Sequence, residues 1–277
     1  MSVLSRISVR TALLQGQKLL EDAGIDSPRL TAEVLLMHAT GHDRAWLYAH
    51  GNDELIELWW IHYGRYLHER MQGKPTQHIT GRQEFYGREF RVTPEVLIPR
   101  PETELLIEAA LPYGNAANAT LDIGTGSGAI AVTLALEANA RVIATDISLP
   151  ALAVACQNAR TLGAHVDFAA CDLGSVFADG SFDLVVSNPP YVAERDRATL
   201  APEVRDREPA LALFGGDDGL AVYRRLIPEA ARLLLPGGWL MMELGEAAAV
   251  RELLKDWHDV EIRNDLAGIP RVVIARK

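Results

Sequence analysis

From residue 119 onward the chain repeats one unit, a short apolar run followed by a longer stretch with helical spacing. Residues 119–123, 141–145, 166–170 and 183–187 read as strands. Residues 129–137 and 149–162 read as helices between the first three. A helix over 220–234 precedes Pro236-Gly237-Gly238, and a strand follows over 239–244. A helix over 247–257 and strands over 260–263 and 271–275 close the chain. Strands this apolar must be covered on both faces, and alternation with helices achieves that in a mostly parallel α/β sheet.

The first part of the chain has a different grammar. Leu13, Leu14, Leu19 and Leu20 recur at helical spacing, with Gly24 as a stop. Ser27-Pro28 reads as an N-cap with proline at the first helical position, and Gly41 ends the helix that follows. A third helix is expected over 53–71. The aromatics of this region are expected to pack its core, with a recognition surface as the alternative reading. His42, His50, His62 and His68 show no metal-ligand spacing, so packing or surface roles are expected for them. Residues 77–97 carry short alternating segments around Tyr86-Gly87-Arg88, which predicts a β-hairpin. The expected organisation is a helical domain over 1–76, a β-hairpin linker over 77–97 and an α/β domain over 98–277. At Arg100-Pro101 a proline again stands near a helix start, and Glu102 and Glu104 fall in the first turn, where carboxylates suit exposed N–H groups.

With 277 residues, 48% of them hydrophobic, the chain can bury substantial cores. The formal net charge of -10 argues against a general grip on a nucleic-acid backbone. Cys156 and Cys171 make neither a disulfide framework nor a metal cluster. The opening residues lack a leader-like apolar core, and no run is long enough to span a bilayer. A cytoplasmic protein without membrane attachment or metal is expected.

The first α/β strand runs into LDIGTGSGAIAV. Gly124, Gly126 and Gly128 permit a tight turn and bring backbone N–H groups close to a ligand at the next helix. Nucleotide oxidoreductases use a similar turn, so the loop alone is ambiguous. Asp146 ends the second strand, where a carboxylate can accept both hydroxyls of an adenosine ribose. Asp122 lies beside the glycine loop, where it can orient donors or face a cation. Asp172 follows the third strand and is a candidate for an adenine amino group. Thr125, Ile147 and Leu173 complete the cofactor set. Helix capping is the plain alternative for each acid. Three acids favour a cationic cofactor without phosphate, and S-adenosylmethionine is one.

The fourth strand ends in SNPPY. Proline cannot donate to a sheet ladder, so the strand must stop there. Asn188 is biased towards an extended backbone by the proline after it. Its side-chain oxygen and the Pro189 carbonyl are two acceptors that match the two N–H bonds of a planar amino group. Tyr191 offers a ring face for stacking. Pro190 shapes the same segment. Asn188, Pro189 and Tyr191 are the expected catalytic clamp, and Asn188 also borders the cofactor. N-P and P-P are ordinary turn signals as well, but not beside a glycine loop and a ribose carboxylate.

The sequence resembles the PrmC/HemK family, which methylates the glutamine side-chain amide of peptide-chain release factors. The likeness rests on QHITGRQEFYG at 77–87, VLIPRPETELL at 96–106, LDIGTGSGAIA at 121–131, SNPPYV at 187–192, REPALALFGGDDGL at 207–220, LLPGGWLMMELG at 234–245 and DLAGIPRVV at 265–273. It implies a class I, Rossmann-like methyltransferase fold behind a small helical domain and hairpin. It implies S-adenosylmethionine as cofactor and release factors 1 and 2, through a Gly-Gly-Gln loop, as partners, with no obligatory DNA or RNA. The glycine loop and Asp146 map to the cofactor, and Asn188, Pro189 and Tyr191 to the substrate. Arg100 lies in a segment that borders the family's active site. Competing readings are a nucleic-acid adenine-N6 methyltransferase, a non-catalytic binding domain and a nucleotide-dependent oxidoreductase.

Overall fold

A computed structural model describes residues 7–114, 119–138 and 141–277, so the leader reading lies partly outside the described residues. The helices are α1 (Val9–Asp22), α2 (Pro28–Thr40), α3 (Arg44–Ala49), α4 (Glu57–Met71), α5 (Thr76–Thr80), α6 (Glu104–Gly114), α7 (Ala129–Glu137), α8 (Leu149–Leu162), α9 (Pro202–Arg207), α10 (Ala210–Leu213), α11 (Ala221–Leu233) and α12 (Ala247–Leu253). The strands are β1 (Arg82–Phe85), β2 (Arg88–Arg91), β3 (Thr120–Ile123), β4 (Val142–Asp146), β5 (Val166–Ala170), β6 (Phe182–Ser187), β7 (Leu234–Glu243), β8 (His258–Asn264) and β9 (Pro270–Arg276). The chain divides into two compact units, Met1–Gly81 with Pro202–Arg207, and Arg82–Ala201 with Glu208–Lys277.

The first unit is helical. Ser8 caps α1 by accepting from the Thr11 N–H, Asp43 caps α3 through the Trp46 N–H, and Gly41 ends α2 at φ +73°. Its core gathers Leu20, Leu35, Leu36, Leu47, Tyr63 and Leu67. Leu14 and Leu19, two of the leucines whose spacing marked this helix, are 58% and 46% exposed. The buried stripe of α1 is instead Val9, Ala12, Gly16 and Leu20, because the small residues leave room for the Tyr63 ring. Ser27 sits at φ +49° and its side chain caps nothing, so proline alone starts α2. The helix expected over 53–71 begins at Glu57, after the separate turns of α3. His42 and His50 stack on the two sides of Trp46 at 4.0 and 4.5 Å, a packing role. Arg70, buried in this unit, ion-pairs with Glu203, and Arg207 donates to the Gln72 carbonyl at 3.0 Å, which ties α9 to α4 and its end.

The second unit opens with the β1–β2 hairpin, closed by Tyr86 and Gly87 at positive φ. The hairpin is shorter than expected, since residues 77–80 belong to α5. A seven-stranded sheet follows in the order β5-β4-β3-β6-β7-β9-β8. The first five are parallel; β9 runs antiparallel to both neighbours. Successive residues of β6 and β7 enter opposite cores. Leu184, Val186 and Met241 join α6 and α7 on one face; Val185, Leu240 and Met242 join α11 and α12 on the other. That two-sided burial is why these strands read as unbroken apolar runs. β7 begins at Leu234, earlier than expected, because a register shift against β6 absorbs the Pro-Gly-Gly turn within the strand. The parallel strands end on one side, and β3 and β6, adjacent in space but not in sequence, put their loops together there.

Candidate active site

A cavity of about 260 Å³ opens at the carboxyl ends of β3, β4 and β6. Its floor is the glycine loop. The Gly124 and Thr125 N–H groups both donate to the Thr145 carbonyl at 2.9 Å, which folds the loop back over β4. Gly124, Gly126 and Gly128 all have positive φ. A Cβ at Gly128 would stand 3.1 Å from that of Ala155, so the third glycine lets α7 and α8 close together, whereas a Cβ at Gly124 or Gly126 would meet no atom within 4 Å. The loop is braced from below by Asn158, which donates to the Ser127 carbonyl at 2.8 Å and exchanges bonds with the Arg91 backbone at 2.8 and 3.0 Å.

Asp146 lines the cavity at the end of β4. One carboxylate oxygen accepts from the Gly126 N–H and the other from the Ser148 N–H, each at 2.9 Å. These bonds fix the carboxylate yet leave acceptor positions free on both oxygens. Asp172 also lines the cavity and pairs with Arg225. Thr125, Ile147 and Leu173 are lining residues too, Leu173 in the left-handed region at φ +53°. Asp122 does not line the cavity; of its two expected roles, orienting donors is the one its contacts fit. Its side chain is fully buried under the loop, where Thr125 Oγ1 donates to it at 2.6 Å, and burial pushes its carboxyl up to about 7.

Asn188, Pro189 and Pro190 form the wall at the end of β6. Asn188 Nδ2 donates to Thr103 Oγ1 at 3.2 Å, which leaves its Oδ1 as the free end of the amide. Thr103 Oγ1 donates in turn to Glu243 Oε2 at 2.6 Å. Tyr191 stands behind this wall rather than in it; its hydroxyl donates to Glu243 Oε1 at 3.1 Å. Burial, then the neighbouring Glu243 carboxylate, raises the Tyr191 phenol well above its ordinary range. Arg100 lines the cavity and ion-pairs at 2.5 Å with Glu208, whose other oxygen accepts from the Ile98 N–H at 3.0 Å.

Glu208, Glu243 and Asn158 were missed by sequence reasoning, and Thr103 stood out only as a member of the segment 100–104 that resembles the border of the family's active site. Glu243 left a trace, a carboxylate closing the apolar strand Trp239-Leu240-Met241-Met242, where a charge needs partners. Among the described residues no cluster that could hold a metal occurs, and no helix is long and apolar enough to cross a membrane.

Solved structures share this architecture. A methyltransferase from Pyrococcus furiosus superposes with a TM-score of 0.53 at 22% identity, over 70% of this chain and 90% of that one. The catalytic domain of hMettl16, solved with a MAT2A 3'UTR hairpin, gives 0.55 at 18% identity, over 76% of this chain and 81% of that one. The second unit therefore has the Rossmann-like methyltransferase fold. Residues 101–204 match the methyltransferase small domain, and residues 11–81 match the PrmC N-terminal domain. A release factor glutamine methyltransferase from Koribacter versatilis is 46% identical over 277 residues, 98% of this chain and 99% of that one. One from Bordetella pertussis is 45% identical over 92% of this chain and 96% of that one. The chain belongs to the family of release factor glutamine methyltransferases.

Proposed function

We propose that this protein methylates the side-chain amide nitrogen (N5) of the glutamine in the Gly-Gly-Gln loop of peptide-chain release factors, with S-adenosylmethionine as methyl donor. A cytoplasmic location, in keeping with the free thiols of Cys156 and Cys171, belongs to the same reading. The family supplies the substrate class, and the donor set of the cavity supports the cofactor. Gly124 and Gly126 offer open space and backbone, Asp146 keeps lone pairs for a pair of ribose hydroxyls, and Asp172 stands on the same rim. The arginines lining the cavity, Arg100 and Arg225, are each paired with a carboxylate, which disfavours a phosphate-bearing cofactor or a nucleic-acid backbone there.

When bound, S-adenosylmethionine supplies an electrophilic methyl carbon on a positively charged sulfur. The chain's own part is to hold a poor nucleophile still. An amide nitrogen shares its lone pair with its carbonyl. Asn188 Oδ1 and the Pro189 carbonyl accept its two N–H bonds and so orient the nitrogen. The same acceptors stabilise positive charge as it develops on that nitrogen, a contribution made mainly in the transition state. The single observation that carries this role is the bond from Asn188 Nδ2 to Thr103, which commits the amide to present its oxygen.

Incubation with a purified release factor and labelled cofactor, followed by mass mapping, tests the proposal. One methyl on the Gly-Gly-Gln glutamine is expected. Asn188→Ala should lower the single-turnover rate about 10²-fold, the cost of misplacing the reacting atom by ~1 Å. Its affinity for S-adenosylhomocysteine should change little. Modification at another residue, or only of an adenine base, would overturn the assignment.

A further inference from the structure

Glu243 ends the innermost apolar stretch of β7 and is almost wholly buried. A carboxylate in that setting is costly, so its bonds carry information. Oε2 takes the Thr103 hydroxyl proton at 2.6 Å and Oε1 takes the Tyr191 hydroxyl proton at 3.1 Å. Burial raises the Glu243 carboxyl, and the bonds from Thr103 and Tyr191 act against that by stabilising its charge. In the charged form it can only accept, so both hydroxyls point towards it. Thr103 has one proton to give. Once that is committed, its oxygen can only accept from Asn188, and it does so from Nδ2 at 3.2 Å. The donor order therefore runs one way, from Asn188 through Thr103 to Glu243.

We infer that Glu243 and Thr103 are positioning residues for the methyl transfer. Together they hold Asn188 with its carbonyl oxygen, not its NH2, towards the substrate amide, and they keep Tyr191 in register with it. This rests on the function proposed above. A flipped Asn188 would meet the substrate's amino group with two donors and no acceptor. Thr103 alone cannot prevent the flip, because a hydroxyl can donate as readily as it accepts. The buried carboxylate removes that freedom. Glutamine at position 243 would restore it, since its NH2 can donate to Thr103 and release the hydroxyl proton towards Asn188.

Glu243→Gln, Thr103→Val and Thr103→Ser, all close in shape, separate orientation from packing. Steady-state and single-turnover transfer to a purified release factor would be measured, with S-adenosylhomocysteine affinity and melting temperature alongside. Glu243→Gln and Thr103→Val should lose about 10-fold to 10²-fold in kcat, the scale of a small misorientation. KM and cofactor-product affinity should stay within about twofold, as befits an interaction realised in the transition state. Thr103→Ser, which keeps the hydroxyl, should recover most of the lost rate. Wild-type single-turnover rates in Glu243→Gln and Thr103→Val overturn the relay. So does a loss in Thr103→Ser as large as in Thr103→Val. If one variant fails to melt cooperatively, the other decides. A wild-type protein that leaves the release factor unmodified overturns the functional proposal and the relay with it. An active wild type with unimpaired variants overturns the relay alone.

Discussion

Asp122 and Asp146 lie at the ends of neighbouring parallel strands, yet one carboxyl is sealed in the core and the other lines the cavity. Burial raises the Asp122 carboxyl from 3.8 to about 7, against the pull of the Thr125 hydroxyl. The folded protein therefore binds this proton more tightly than the unfolded chain does. Its contribution to stability is complete below about pH 4 and is lost as pH rises through about 7. Asp122→Asn should flatten the fall in stability between those values, measured by urea unfolding across the range in the absence of cofactor. An unchanged slope would show that Asp122 is ionised throughout. Sequence placed the two acids at the tips of successive strands, because strand periodicity and loop chemistry fix the chain there. It could not say which would be sealed, since that depends on how Thr125 folds back over the strand end.

The segment from Glu208 to Gly219 contributes no strand to the sheet, yet it braces the site at the scale of elements. The Val192 N–H donates to the Leu213 carbonyl, and the Gly215 N–H to the Val192 carbonyl, both at 2.9 Å. Gly219, at φ +79°, lies where a Cβ would stand 2.4 Å from the Tyr191 carbonyl oxygen, so only glycine permits that approach. Glu208 holds the opposite wall through Ile98 and Arg100. Glu208→Ala should cost about 1–3 kcal/mol of stability, the scale for a buried donor left unpaired. It should also weaken S-adenosylhomocysteine binding, because residues 95–100 border the cavity. Calorimetry and denaturant titration check both, and unchanged values would deny Glu208 its bracing role. Elements with a clear period were legible in advance: α7, α8 and β5 have the bounds that the pattern gave. The brace was not, because its residues act through backbone carbonyls and one carboxylate across more than 100 positions, as in the bond from Ile98 to Glu208. The motif's resemblance flagged the segment without giving its physics. The role of Thr103 was hidden for the same reason, since its partner Glu243 is 140 residues away.

At the scale of the whole molecule the chain passes between its two units three times, because α9 belongs with the N-terminal helices. Six residues, Pro-Glu-Val-Arg-Asp-Arg, carry no apolar period, which is why sequence patterning overlooked them. Charge holds them instead. The Arg70 side chain is only 8% exposed and meets Glu203. Glu203→Gln keeps the shape and removes the counter-charge, and should lower stability by about 1–3 kcal/mol, a loss typical of a charged hydrogen bond. Urea titration of the full chain reads this directly, and a midpoint equal to wild type would assign the packing of α9 to other contacts. The interleaving also sets a schedule. Pro202 leaves the ribosome about 120 residues after Gly81, and at ~5–20 residues per second that interval lasts roughly 6–24 s. Throughout it Arg70 waits for its carboxylate. The helices made first thus wait for a segment made about 120 residues later, and a nascent chain stalled within that interval holds a first unit that lacks its final helix.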